Sequence, residues 1–325
     1  MTSFVTGGSG FVGGAVLRHL VESGEEVRAL ARSVNAATVV TEIGGTPVDA
    51  DLHDEAALRD GMRGCDVVYH VAGVNTMCPG NPGDMYRTNV DAVRTVVRAA
   101  AAADARRVVL TSSAAVIGER DGVVANEETP HSGRFLSHYA RSKHLGELAF
   151  FDEAGSVGIE AVAVNPSSVQ GPGRADGSAL LFRYALNARR PIAIDAMLSV
   201  VDIDDVARAH LLAASRGAHG ERYLISGATV SMRDALHILD VVTGRSIAPI
   251  VLPRWVALAA YPIAALGSLL PGDAPVCVEM LRTLLHGHRF DASLSVTDLG
   301  VTYTALGDTL ARTTAWLDDQ GYISR

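Results

Sequence analysis

The chain has 325 residues, 48% hydrophobic and 20% charged, with a formal net charge of −8. This composition excludes a disordered chain, and the lack of a basic block gives no support for binding nucleic acid or an acidic membrane surface. The cysteines Cys65, Cys78 and Cys277 are too few and too scattered for a disulfide framework or a zinc cluster, which suits a reducing cytosol. No signal-like segment precedes the first predicted strand, so we expect a cytoplasmic protein.

Short apolar strands alternate with longer stretches of helical period through the first half of the chain. The predicted strands lie near Ser3–Thr6, Val27–Ala31, Pro47–Ala50, Val67–Val71, Arg107–Thr111 and Glu160–Val164, and the predicted helices near Phe11–Glu22, Glu55–Met62, Met85–Ala103 and His138–Glu153. Strands separated by helices of this length predict right-handed βαβ crossovers. The predicted fold class is α/β, a Rossmann-type doubly wound parallel sheet with a smaller C-terminal α/β substrate domain.

After Pro166 the alternation becomes less regular, and a Gly-rich loop runs from Gly171 to Gly177. Predicted helices follow near Leu180–Ala188, Asp204–Ser215, Met232–Thr243, Trp255–Leu270, Pro275–His286 and Leu306–Asp319, with short strands at Tyr223–Ile225 and Pro249–Val251. We expect a first domain over residues 1–165 and a second domain mainly over residues 166–325, with segments near 199–230 returning to the first domain. The apolar stretch from Trp255 to Leu270 is too short to span a bilayer, so it predicts a buried or cleft-lining helix.

A glycine motif, Thr6-Gly7-Gly8-Ser9-Gly10-Phe11-Val12-Gly13, follows the first strand and opens the first helix. In this context Gly7 or Gly8 permits a tight turn, Gly10 lets the backbone approach a pyrophosphate, and Gly13 allows close packing of helix on strand. The helix N-terminus adds N–H groups and partial positive charge for the phosphates. The predicted cofactor contacts here are Gly7, Gly10, Phe11, Val12 and Gly13. We therefore expect residues 1–165 to bind a dinucleotide and residues 166–325 mainly to bind substrate.

The ends of the second and third strands bear on the choice of cofactor. An NAD site of this kind usually has Asp or Glu after the second strand, whereas this chain has Arg32. A guanidinium there would pair with a 2′-phosphate, which favours NADP(H) over NAD(H) and leaves NAD(H) as the alternative. Asp51 ends the third strand, where it could bind the adenine amino group together with Leu52, or could cap the next helix.

Tyr139 and Lys143 stand four residues apart, on one face of a predicted helix. A nearby ammonium and the cationic nicotinamide ring favour the phenolate and so lower the pKa of the tyrosine, and the ammonium can also hold ribose hydroxyls. Lys143 is the only lysine among 28 basic residues, and arginine is too broad and too basic for this task. The strand end Leu110-Thr111-Ser112-Ser113-Ala114 offers a serine hydroxyl to the same substrate oxygen.

Together these residues resemble the extended short-chain dehydrogenase/reductase family, in particular its dihydroflavonol-4-reductase and 3β-hydroxysteroid dehydrogenase branch. The resemblance also includes the following segments: His70-Val71-Ala72-Gly73, Asn89-Val90, Asn165-Pro166, Gly171-Pro172-Gly173 and Asp204-Asp205-Val206-Ala207. It implies a catalytic set of Ser113, Tyr139 and Lys143, the serine standing five residues before Gly118. It further implies cofactor contacts at Ala72, Gly73, Thr111 and Pro166, beside Tyr139 and Lys143 themselves, and a helper role for Asn89 in shaping the helix near the site.

The departures from the family pattern concern the substrate. Nucleotide-sugar members usually carry an Arg-Asp pair where this chain has Leu198-Ser199, so the diphosphate clamp is missing. The family's usual histidine at position 202 is Asp202, for which the sequence offers no account. His286-Gly287-His288 is the nearest approach to a metal-ligand spacing, and we interpret it as a solvated helix end and expect no metal.

The resulting hypothesis is an NADP(H)-dependent carbonyl reductase or alcohol dehydrogenase that acts on a fairly apolar small molecule. Two alternatives stay open: a nucleotide-sugar epimerase with tightly bound NAD, and a non-catalytic NADP-binding sensor. The sequence predicts no nucleic-acid partner and no membrane span, and it leaves the subunit count open, with a homodimer among the options.

Overall fold

The computed structural model describes residues 1–257, 259 and 277–323. The strands are β1 (Thr2–Thr6), β2 (Glu26–Leu30), β3 (Thr46–Val48), β4 (Val67–His70), β5 (Arg107–Thr111), β6 (Glu160–Pro166), β7 (Ser168–Gln170), β8 (Ile192–Ile194), β9 (Met197–Asp202), β10 (Arg222–Ile225), β11 (Ala228–Ser231) and β12 (Ile250–Leu252). The helices are α1 (Phe11–Glu22), α2 (Val34–Ile43), α3 (Glu55–Met62), α4 (Gly83–Tyr86), α5 (Ala92–Ala102), α6 (His138–Val157), α7 (Ala179–Asn187), α8 (Ile203–Arg216), α9 (Met232–Thr243), α10 (Val278–His286) and α11 (Leu306–Asp319).

Among these residues, seven parallel strands form one sheet in the order β10-β6-β5-β4-β1-β2-β3. The chain moves outward from β1 to β3 and then returns to β4 on the other side of β1. Open sheets of this kind bind ligands where the order reverses, beyond the carboxyl ends of the strands. The switch between β1 and β4 therefore marks the position of the site, and the predicted fold class is confirmed.

Two apolar cores cover the faces of this sheet. Phe4 and Val5 are both fully buried but belong to different clusters, because successive side chains of a strand point to opposite faces. The Val5 face packs against α1 and α8, and the Phe4 face packs against α3, α5 and α6. A third core lies under α7, α9 and α11, next to the small β11-β9-β7 sheet.

The second half of the chain contains more strands than its pattern predicts. The strands β7, β8, β9 and β11 were not predicted, because at three to six residues they carry little periodicity. Most of the predicted helix Trp255–Leu270 lies outside the described residues. The predicted helix Pro275–His286 is observed as Val278–His286.

Two helices of the first half also differ from the prediction. The helix α2 was not predicted, although the Ser33 hydroxyl caps it by accepting from Ala36 N. The predicted helix Met85–Ala103 is divided by a wider turn over Arg87–Asp91, between α4 and α5. The close approach of α6 accounts for that turn, since a Cβ at Gly146 would lie 2.0 Å from Asn89 O.

Candidate active site

The glycine motif forms a tight turn that leads directly into α1. Gly7 has a φ of +73°, and a Cβ on it would lie 2.8 Å from Ala72 N. A Cβ on Gly13 would lie only 2.0 Å from Gly7 O, so helix and turn are in backbone contact. Gly10 is the N-cap of α1 and donates to Gly7 O at 2.9 Å. The turn thus brings the N-terminus of a helix to the sheet edge with no side chain at its glycines to fill the space.

The end of β4 lies against this turn. Thr6 Oγ1 accepts from Val71 N and Ala72 N, both at 3.1 Å, and lies 2.8 Å from His70 Nδ1. Burial lowers the pKa of His70 to about 3, so this imidazole is neutral and structural at physiological pH. These contacts place Ala72 and Gly73 beside the glycine turn.

The residues predicted to read the adenosine half occupy the same edge of the sheet. Arg32 is exposed just beyond β2. Asp51 is exposed and its Oδ1 accepts from His53 N, whereas Asp54 accepts from Ala57 N and caps α3. The alternative that Asp51 caps this helix is therefore wrong. Leu52 is 5% exposed and packs in the core of the sheet.

Tyr139 and Lys143 both lie on the first turns of α6, which the Ser137 hydroxyl caps by accepting from Ala140 N. Lys143 Nζ donates to Thr111 O at 2.7 Å. It also lies 3.7 Å from the position that a Cβ on Gly73 would occupy. The ammonium therefore points to the edge of the sheet beside the glycine turn, where the sequence analysis expects the cofactor.

The pKa of Tyr139 differs from the expectation. Burial raises it above the usual value, against the opposing effects of Ser113 and Arg174. Burial also lowers the pKa of Lys143 to about 8, against the opposing effect of Glu147. In the protein without cofactor the expected lowering of the Tyr139 pKa is therefore wrong, because desolvation outweighs the neighbouring groups, and the contribution expected from the cationic nicotinamide ring stays a prediction.

Ser113 lies beside Tyr139 and caps a short helical turn over Ala114–Val116. Its Oγ accepts from Ala115 N at 3.2 Å, and its backbone oxygen accepts from Asn165 Nδ2 at 3.3 Å. Pro166 is buried at the end of β6, the strand next to that of Thr111. The predicted residues of this group thus meet at the carboxyl ends of neighbouring strands.

Two buried polar side chains hold this arrangement. Asn89 accepts from Val74 N at 2.8 Å and donates to Val74 O at 2.8 Å and Ser142 Oγ at 2.9 Å, which ties the loop after β4 to α6. Glu147, which the sequence analysis missed, accepts from Asn165 Nδ2 at 2.6 Å and pairs with Arg222 at 3.0 Å. Its position four residues after Lys143, on the same helix face, is the signal that could have found it.

Arg174 is a second residue that the sequence analysis missed. Its guanidinium carbon lies 5.8 Å from the centre of the Phe11 ring, and Nε donates to Asp176 Oδ1 at 2.7 Å. The loop Gly171–Gly177 therefore brings a positive charge over the start of α1 and close enough to Tyr139 to influence its pKa.

A disulfide bond between Cys78 and Cys277 joins the loop after β4 to the start of α10. The sequence analysis expected no disulfide framework and did not predict this single bond, because a separation of 199 residues gives no signal in the spacing. Glu279 strengthens the junction by accepting from Cys78 N at 2.9 Å and His138 N at 2.8 Å. The cysteines therefore no longer support a reducing compartment.

Asp202, for which the sequence had no account, has a structural role. Its Oδ1 accepts from Asp204 N and caps α8, and its Oδ2 accepts from Thr309 Oγ1 at 2.8 Å. It therefore joins α8 to α11.

Within the described ranges, no helix is long and apolar enough to cross a bilayer.

The doubly wound sheet, the glycine turn and the cluster at its edge define an NAD(P)-dependent enzyme. Residues 3–226 match the NAD dependent epimerase/dehydratase family. A putative dihydroflavonol 4-reductase of Synechocystis sp. is 31% identical over 98% of this chain and 95% of that protein. A 4-hydroxy-2-methyl-3-oxo-4-farnesyl-3,4-dihydroquinoline-1-oxide ketoreductase of Stigmatella aurantiaca is 35% identical over 74% of this chain and 72% of that protein. The solved structure of gox2253 is 28% identical with a TM-score of 0.87, covering 99% of both chains.

The chain belongs to the NAD dependent epimerase/dehydratase family, and it is an NAD(P)-dependent oxidoreductase of the extended short-chain type. The predicted family is thereby confirmed.

Proposed function

We propose that the protein is an NADP(H)-dependent carbonyl reductase, or in reverse an alcohol dehydrogenase, for a fairly apolar small molecule. One observation carries the proposal. The Lys143 ammonium lies between Thr111 O and Gly73 at the sheet edge, one helical turn from Tyr139, which has Ser113 beside it. A phenol, a hydroxyl and an ammonium so arranged next to a dinucleotide-type glycine turn suit hydride transfer to or from a carbonyl carbon.

The residues present fit the cofactor. A Cβ at Gly7 or Gly13 would meet backbone atoms within 3 Å, so only glycine allows the turn to pack this closely against α1, and the N–H groups at the start of this helix would face a pyrophosphate. We assign Arg174 to the same phosphates, because it lies over Phe11 at that helix end. We assign Arg32 to a 2′-phosphate, which is the basis for preferring NADP(H) to NAD(H).

When bound, the nicotinamide supplies or accepts the hydride. Tyr139 gives its phenolic proton to the carbonyl oxygen during reduction, and its raised pKa keeps the phenol protonated at neutral pH. Ser113 Oγ accepts from Ala115 N and is hydrogen-bonded to the Tyr139 side chain, so its hydroxyl lies beside the phenol and would donate to the same substrate oxygen. Lys143 holds ribose hydroxyls and stabilises the phenolate that remains. General acid catalysis of this kind contributes roughly 10²–10⁴-fold to the rate.

The substrate class follows from the missing diphosphate clamp. Leu198 and Ser199 stand where nucleotide-sugar members have charged residues, and the Ser199 hydroxyl is engaged by Thr229 Oγ1 and His288 O. Two relatives are named as a putative dihydroflavonol 4-reductase and a ketoreductase of a farnesylated dihydroquinoline oxide, which supports a ring ketone as the substrate class. We therefore propose that residues 1–165 bind the cofactor and that residues 166–325 mainly bind this substrate.

The test is steady-state oxidation of NADPH and NADH with a panel of aromatic and alicyclic ketones, after an absorbance scan of the freshly purified protein. We expect protein free of bound NAD, turnover of apolar ketones, and a higher kcat/KM with NADPH. Protein that retains NAD and interconverts nucleotide sugars would show an epimerase instead. Cofactor binding without turnover of any carbonyl compound would show a sensor.

A further inference from the structure

Two imidazoles meet one buried carboxylate between the loop that follows Ser113 and the C-terminal segment. Glu119 Oε1 lies 2.6 Å from His288 Nδ1 and 3.3 Å from His286 Nε2. Each residue offers one ligand atom, a ring nitrogen or a carboxylate oxygen, and these three atoms lie within 4.8 Å of one another. The sequence interpretation of His286 and His288 as a solvated helix end is wrong, since their side chains are only 12% and 20% exposed.

The carboxylate has an unsatisfied oxygen. Glu119 is 3% exposed, and its Oε2 is buried with no hydrogen-bond partner among the residues that the structure describes. Buried carboxylate oxygens are normally satisfied, because an unpaired one costs about 1–3 kcal/mol or more. This orphaned oxygen needs a cationic or hydrogen-bonding partner beyond the two imidazoles.

The backbone holds the two imidazoles on the same side. Gly287 between them has a φ of +66° and ends α10, which turns the chain so that both rings reach Glu119. His288 O accepts from Ser199 Oγ at 3.0 Å, and the His288 ring stacks on Phe290 with an interplanar angle of 15°. A side chain at Gly287 would also lie 3.1 Å from Met197 N. The donor atoms are therefore oriented by contacts outside the cluster.

We propose that Glu119, His286 and His288 bind one divalent transition-metal cation of the zinc class. Two imidazole nitrogens and Glu119 Oε1 are a donor set that Zn²⁺ takes, with the fourth position left to a water that would donate to the orphaned Oε2. Tetrahedral bonds of about 2.0–2.2 Å place neighbouring ligand atoms about 3.3 Å apart. The distance from Glu119 Oε1 to His286 Nε2 already has this value. The distance from Glu119 Oε1 to His288 Nδ1 would widen by about 0.7 Å when the ion replaces the hydrogen bond.

The bound ion would clamp the C-terminal segment to the loop that leads from the catalytic serine. Glu119 and His288 are 169 residues apart, so the spacing along the chain does not reveal the site. The α10 helix is tied at its start by Cys277 and Glu279 and would be tied at its end by the metal. The rival explanation is a hydrogen-bonded triad that needs no ion.

The experiment uses the full chain, treated with EDTA, exchanged into chelator-free buffer and titrated with Co²⁺ and Zn²⁺. We expect visible ligand-field bands with Co²⁺ that saturate at one ion per chain, displacement by Zn²⁺, and a higher Tm with Zn²⁺. Glu119→Gln and His288→Asn should each weaken binding at least about tenfold. The control His237→Asn, on an exposed position of α9, should leave binding unchanged.

Titration of the unmodified protein decides the question even if a variant fails to fold. No saturable binding overturns the proposal and leaves the hydrogen-bonded triad. Saturable binding that survives His286→Asn and His288→Asn also overturns it, because the ion then lies elsewhere. Neither readout depends on turnover, so this test is independent of the proposed reductase activity.

Discussion

Two neighbouring glycines of α1 provide a matched pair of substitutions that tests the cofactor site. In Gly13→Ala the new Cβ would lie 2.0 Å from Gly7 O, whereas ordinary contact begins at 3.4 Å, so the two must separate by roughly 1.4 Å. Gly7 is itself packed closely against the Ala72 backbone, where a Cβ would lie 2.8 Å from Ala72 N, so we expect the turn to resist the shift. The displacement therefore falls on the N-terminus of α1, where the pyrophosphate would bind. A misplacement of about 1 Å in an active site can lower the reaction rate about 100-fold. We expect a comparable loss of binding here, with the Kd for NADPH rising about 10- to 100-fold.

Gly14→Ala is the control within the same helix. Its Cβ would lie 3.4 Å from Gly8 O, which is ordinary contact, and alanine stabilises a helix interior by about 0.5–1 kcal/mol relative to glycine. We expect a raised Tm and an unchanged Kd for NADPH. Fluorescence titration with NADPH and thermal unfolding measure both effects. The reasoning is refuted if Gly13→Ala binds NADPH within about twofold of the unmodified protein, or if both variants lose affinity equally.

Three further substitutions separate the roles proposed for charged residues. Arg32→Ser should raise the Kd for NADPH about tenfold or more and leave that for NADH unchanged, and equal loss for both cofactors would contradict the 2′-phosphate assignment. Arg174→Met should weaken both cofactors, and an effect on neither would remove it from the phosphates. Since the pKa of Lys143 is about 8, reduction that depends on its ammonium should fall as the pH rises through that value. Glu147→Gln removes a charge that raises this pKa but keeps an acceptor for Asn165, so the falling limb should move to lower pH. If the falling limb of the pH profile of kcat/KM stays in place in Glu147→Gln, the role proposed for the Lys143 ammonium is contradicted.

Elements with strong local signals could be predicted from the sequence. The bounds of α1, α3, α11 and β5 agree with the prediction, because glycines, a capping Asp54 and continuous apolar runs mark them. The helix α2 was missed although Ser33 and Gly44 mark its ends, because its valines and threonines favour strands. Local patterns therefore predict elements where propensity and capping agree.

Features that depend on distant residues could not be predicted. The Cys78–Cys277 bond and the meeting of Glu119 with two histidines each join segments far apart in the chain. The sequence showed an ammonium near Tyr139, but the burial that raises its pKa is a property of the folded protein. The motif thus predicts which groups meet, and the fold decides how strongly each is desolvated.

The most direct test of the account is Tyr139→Phe, which removes one hydroxyl and keeps the ring that packs against its surroundings. We predict that kcat for NADPH-dependent ketone reduction falls about 10²–10⁴-fold, because the substrate oxygen loses its proton donor. The Kd for NADPH, measured on the same preparation, should stay within about twofold. A phenylalanine variant that reduces the ketone at nearly the original rate would show that Tyr139 is not the acid.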